Sequence, residues 1–143
     1  MTKYHPVTSR KVLMGKLRHG CDLLEELTRV SVECSIRLGR IQAIGAVQNA
    51  NLGYYNQQAR EYRYVALDQP LEITTLWGNI SLKDGNPFVH VHVTLSDADG
   101  KAYGGHLAPG TMVFACEFIL EAYRGPDYHR TFDQETGLPL WAI

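Results

Sequence analysis

The chain has 143 residues, 45% hydrophobic and 20% charged, which suits a single soluble domain with a substantial core. Its 14 basic and 15 acidic residues give a net charge of −1, so the broad basic footprint of a nucleic-acid binder is missing. No apolar run approaches a bilayer span, the first residues lack the apolar core of a signal peptide, and three cysteines without CxxC spacing point to neither a disulfide framework nor a cysteine zinc site. The expectation is a cytoplasmic, reduced protein with no membrane segment.

Taken in chain order, residues 11–18 read as a first strand, with His5 and His19 among polar or turn residues on either side. Asp22 has the character of a helix N-cap, and Glu25 three residues later completes a capping-box pattern. Leu23, Leu27, Val30 and Cys34 then form one apolar stripe at helical spacing. With Gly39 as its terminator, the pattern predicts a helix of about four to five turns packed against a sheet, with Cys34 as a small core residue.

From Ile41 the texture turns to strands. Residues 41–55 are rich in small side chains, with Gly45 and Gly53 as bulges or points of close backbone approach. Residues 61–67 alternate in the manner of a half-buried strand, and residues 71–82 form a longer, β-branched one. A turn over Lys83–Pro87 leads into a strand that carries His90 and His92. Residues 111–123 form a last long strand, with Cys116 inert inside an apolar run. The tail from Arg124 to Ile143 ends in an apolar segment suited to docking on its own domain or on a neighbouring subunit. The predicted class is α+β, a mainly antiparallel sheet packed by one or two helices, in one domain over residues 1–143 with a core of about 10–140.

The chemistry concentrates in the histidine strand. Side chains alternate along a strand, so His90 and His92 share a face while Val89, Val91 and Val93 take the other. If Ala98, Asp99 and Gly100 form a three-residue loop with Gly100 left-handed, pairing outward from Asp97 and Lys101 sets His106 across from His92. Three convergent imidazoles make either a metal site with an open position or a polar cluster in a cleft. Glu72 and Glu117, carboxylates inside otherwise apolar strands, are candidate proton acceptors or partners that fix a histidine tautomer; a solvated sheet face is the plainer alternative. Phosphate-loop, dinucleotide and hydrolase-elbow motifs do not occur. Tyr54, Tyr55, Tyr62 and Tyr64 have few basic neighbours and read as packing residues rather than base-stacking ones.

Several stretches resemble one known family, the plant and prokaryote conserved (PPC) domain, often found beside an AT-hook. They are Gly78–Ser81, Asp84–Pro87, His90–His92, Leu95–Gly100 and Gly104–Leu107, supported by Gly20–Leu27 upstream and by Ala115–Phe118 and Asp133–Leu138 downstream. The resemblance spans roughly residues 10–140 and implies an α+β fold assembled as a homotrimer. It also implies a zinc-like ion held by His90, His92 and His106. Plant members of the family act with DNA, which makes a DNA-associated module the alternative function. This chain lacks an Arg-Gly-Arg-Pro hook, and the plant Gly-Arg-Phe-Glu-Ile-Leu segment is represented only by Gln69–Thr74. Metal-dependent catalysis on a small ligand, a DNA-associated module and an assembly scaffold are therefore the three functional readings. No substrate or reaction follows from the residues alone.

Overall fold

The computed structural model describes residues 2–143. Its elements run β1 (Thr8–Lys16), α1 (Leu23–Glu33), β2 (Gly39–Asn56), β3 (Glu61–Leu67), β4 (Leu71–Lys83), β5 (Asn86–Ser96), β6 (Ala102–Leu107), β7 (Met112–Arg124), β8 (Arg130–Phe132) and β9 (Pro139–Trp141). The α+β class holds, with one helix among the described residues.

The 18-residue strand β2 is the spine. Its first half lies between β7 and β4, and its second half between β3 and β6. Because β2 also pairs β6, the strands β2, β4, β5 and β6 close a circuit, with β7 and β1 continuing the sheet on one side. All of these pairings are antiparallel. Gly45 is required where β2 shifts register: its φ is 145°, and a Cβ there would stand 2.1 Å from the Ala115 carbonyl oxygen.

The Asp22 carboxylate caps α1 as expected, accepting the Glu25 N–H at 3.0 Å. Its other oxygen accepts the Gly110 N–H at 2.6 Å, which ties the helix to the loop between β6 and β7. The helix has 11 residues, about three turns, and stops well before Gly39. Ser35 takes the left-handed conformation at φ 52°, while the Ile36 N–H bonds the Ser31 carbonyl and the Ser35 N–H bonds that of Val32. This is a Schellman stop built on serine, and it turns Ile36 back into the core. Cys34 consequently falls outside the stripe and is exposed, correcting its assignment to the core. Leu23 and Leu27 keep their predicted places, fully buried.

The same core takes Ile41, Leu76, Ile80, Leu95, Leu107 and Leu120 and the inner face of β5, where Val89, Val91 and Val93 are buried. At about 1.5–3 kcal/mol for each buried aliphatic side chain, slipping β5 by one residue would forfeit all three valines and bury the histidines. Hydrophobic alternation thus holds His90 and His92 on the outer face. Cys116 is buried as expected, and burial pushes its thiol up to about 12.

The tail folds back on its own chain. The Leu82 N–H donates to the Tyr128 carbonyl at 2.8 Å, and the Tyr128 ring packs between His5 and Trp141. At the other end of this strap, Arg60 donates to the carbonyls of Gln134 and Glu135, and the Tyr55 hydroxyl to that of Thr136. Residues 128–141 therefore bridge from β4 to the β2–β3 hairpin. No helix among the described residues is long and apolar enough to cross a membrane.

Candidate metal centre

Two tight turns set the histidines in place. Between β4 and β5, Asp84 and Gly85 both have positive φ, at 51° and 79°, giving a two-residue hairpin turn of the type that matches strand twist. Between β5 and β6, Gly100 is left-handed at φ 78°. The Asp97 carboxylate braces that loop, accepting the N–H groups of Asp99 and Lys101 and the Tyr103 hydroxyl. The resulting register is the one expected from the turn: His92 pairs His106, while Trp77 and Asn79 of β4 stand opposite His92 and His90. Gly105 permits close approach of backbone, since a Cβ there would lie 2.8 Å from the Gly53 carbonyl oxygen of β2.

His90, His92 and His106 form a cluster in which one ligand nitrogen from each lies within 4.8 Å of the others. Their ring centroids are 5.1 to 5.6 Å apart. Burial, then the charge of Arg130 and the other two histidines, pulls His90 down to about 4. His106 is lowered by burial first, then by His92 and Arg130. Both rings are therefore neutral at neutral pH, the form in which imidazole has a lone pair to give. Nδ1 of His106 is buried with no hydrogen-bond partner, an arrangement that costs free energy unless something else engages the nitrogen. A divalent ion with imidazole ligands fits this donor set.

The surroundings of the cluster escape simple strand reading. Tyr62 of β3 leans on His106 with its ring centroid 5.1 Å away. Gly53 makes room for it: a Cβ at that position would be 3.1 Å from the Tyr62 ring and 3.4 Å from His106 Cβ. Arg130, from β8, reaches in to donate to Ser81 Oγ at 2.9 Å and Asn79 Oδ1 at 2.8 Å, with His90 Nδ1 at 3.4 Å. Asn79 was accessible from sequence as the cross-strand neighbour of His90. Arg130 lies 40 residues from His90, and no local pattern announces it.

Glu72 and Glu117 do not join the histidines within the chain. Glu72 is exposed opposite Ser96, near the far end of β5 from His90. Glu117 is exposed on β7 between Lys16 of β1 and Ile44 of β2. His5 contacts the Tyr128 hydroxyl, and His19 lies 2.8 Å from the Phe114 carbonyl; neither belongs to the cluster.

The Plants and Prokaryotes Conserved (PCC) domain model matches residues 4–124. The chain is similar to a metal-containing protein of Archaeoglobus fulgidus, at 42% identity and a TM-score of 0.94, over 99% of this chain and 100% of that one. It is similar to a plant- and prokaryote-conserved (PPC) protein of Pyrococcus horikoshii at 31% identity and a TM-score of 0.93, over 99% and 98% of the two chains. A candidate DNA-binding protein from Bacteroides thetaiotaomicron shares 25% identity at a TM-score of 0.85, over 94% and 96%. Among curated proteins, the bifunctional protein GlmU of a Synechococcus strain is 33% identical over 92% of this chain, which spans 20% of that protein's length.

Proposed function

The chain belongs to the Plants and Prokaryotes Conserved domain family, and on that premise we propose that it is a metal-dependent protein acting on a small ligand. His90, His92 and His106 hold the ion, and their all-nitrogen set suits zinc. The observation that carries the reading is the buried, unpartnered Nδ1 of His106 inside a cluster of three converging imidazoles. The metal-containing relative from Archaeoglobus supports it. An ion held by three neutral ligands supplies Lewis acidity at its open position, polarising a bound group or lowering the pKa of water. The chain's own part is to present the three rings, keep His90 and His106 deprotonated by burial, and wall the site with Tyr62 and Arg130. Glu72 and Glu117, remote from the cluster in the chain, have no assigned role in this reading.

Assembly as a homotrimer belongs to the same proposal. Val12, Met14, Ile44, Trp77 and Phe114 are all at least half exposed on neighbouring strands β1, β2, β4 and β7. A groove of 710 Å³ runs among Met14, Ile44 and Trp77. So much contiguous apolar surface suits burial against further copies of the chain. Light scattering of the wild type is expected to give about three times the 16.1 kDa chain mass, and Met14→Glu with Ile44→Glu to reduce it. The three free thiols accord with a reducing, cytoplasmic setting.

Metal analysis of untagged protein tests the centre. About one ion per chain is expected in the wild type, with loss in His90→Ala and His106→Ala. Equal metal in the variants, or far less than one ion per chain in the wild type, would sink the reading. The DNA-associated alternative has the Bacteroides relative in its favour and the net charge of −1 against it. It requires a salt-dependent gel shift, and no shift at moderate salt removes it.

A further inference from the structure

One cation at the site has no counter-ion among the described residues. Arg130 is half-buried beside the histidines, and every group that accepts from it is neutral: Ser81 Oγ, Asn79 Oδ1, the Pro139 carbonyl and His90 Nδ1. Its guanidinium lies over the rings of Phe88 and Trp141, 5.1 and 5.8 Å from their centroids. None of the ion pairs among the described residues involves it. Drawing a guanidinium even partly out of water costs free energy that a carboxylate partner would offset.

Metal binding sharpens the imbalance. A neutral imidazole has a single lone pair. An ion on His90 Nδ1 takes the acceptor that Arg130 faces; an ion on Nε2 forces the proton onto Nδ1, which then accepts nothing. Either way, loading the centre frees an N–H of Arg130 and sets a dication beside a guanidinium. No carboxylate belongs to the cluster to offset them. Two uncompensated cations at a partly desolvated site repel, and a shared anion relieves both.

We infer that the metal-loaded centre binds a small oxyanion, carboxylate or phosphoryl, held jointly by the ion and by Arg130. The inference rests on the metal reading above and adds the chemical class of the ligand. It also assigns a role to a residue beyond the stretch, 4–124, that matches the family model.

Cobalt(II)-loaded protein offers an optical readout that needs no known reaction. Acetate, oxalate and inorganic phosphate are titrated into loaded wild type, Arg130→Gln and Arg130→Lys, with metal content measured on the same samples. The expected result is a saturable spectral change in the wild type, with the responding anion telling carboxylate from phosphoryl. Arg130→Gln should keep its metal and bind that anion about tenfold more weakly or worse, and Arg130→Lys should fall between. Fully loaded wild type that responds to none of the anions overturns the inference. So does Arg130→Gln that binds as tightly as the wild type. Loss of metal from Arg130→Gln would make the arginine a support for the histidines, which also overturns its role toward a ligand. Wild type that takes up no cobalt fails the metal reading itself, and the metal measurement identifies that case.

Discussion

Buried charge is handled in opposite ways in two regions of the molecule. On α1, the Glu26 side chain is 8% exposed, yet Arg18 and Arg29 reach it at 3.2 and 2.7 Å. Their hydrogen bonds hold its carboxyl down at about 2. At the histidine cluster, a half-buried guanidinium and three imidazoles meet with no acid among them. The helix network is complete as it stands, with the carboxylate and its two arginines paired locally. On the proposed reading, the histidine cluster is completed by ligands supplied from outside. Charge that is balanced within the chain marks scaffold, and charge left unbalanced marks a place where the chain expects something else.

The contrast can be broken or sharpened by experiment. The largest expected effect is on metal affinity: His106→Ala removes a ligand and should weaken binding by more than the 10–100-fold typical of outer-shell changes. Glu26→Gln should leave the same measurement untouched. Next comes metal removal. With free ion about a thousandfold above its dissociation constant, chelation should lower the unfolding free energy by about 4 kcal/mol in a denaturant titration. A smaller loss, about 1–2 kcal/mol, is expected for Glu26→Gln, because its arginine partners are partly exposed and can return to water. Equal metal dependence of both regions would erase the distinction drawn between them.

The regions also separate by pH. In metal-free protein, His90 titrates near 4 when folded against 6.5 for the free group. The unfolded chain binds more protons in that window, so this contribution is full above about 6.5 and disappears as pH falls toward 4. Glu26 has the same sign in a lower window: full above 4.5, lost as pH falls through about 2. Denaturant titrations across this range should show two successive losses of stability, the lower one reduced in Glu26→Gln and the upper one reduced in His90→Ala.

Much of the centre was legible because period-two alternation and one turn type fix it. Val89, Val91 and Val93 dictate the face of the histidines, and Gly100 dictates the register that brings His106 opposite His92. The N-cap at Asp22 was equally readable, being local. What failed locally was the helix end, because Ser35 takes a left-handed stop where glycine is the usual signal, and Cys34 went to solvent with it. Arg130 and Tyr62 were out of reach for a different reason. Their places depend on how a distant strap and a neighbouring hairpin pack, through Tyr128, Arg60 and the room left by Gly53. Pairing rules carry no information about contacts of that kind.

The strap formed by residues 128–141 has a consequence for how such a protein can diversify. The three histidines proposed to hold the ion sit on one hairpin inside the closed circuit of strands, whereas Arg130 arrives on a short β-ribbon fastened to the rest of the chain at its ends. Substitutions in the ribbon can change what the centre greets without disturbing what it holds. On the proposed reading, metal retention and ligand choice are written in separate passages of the chain, so one can be rewritten while the other is kept.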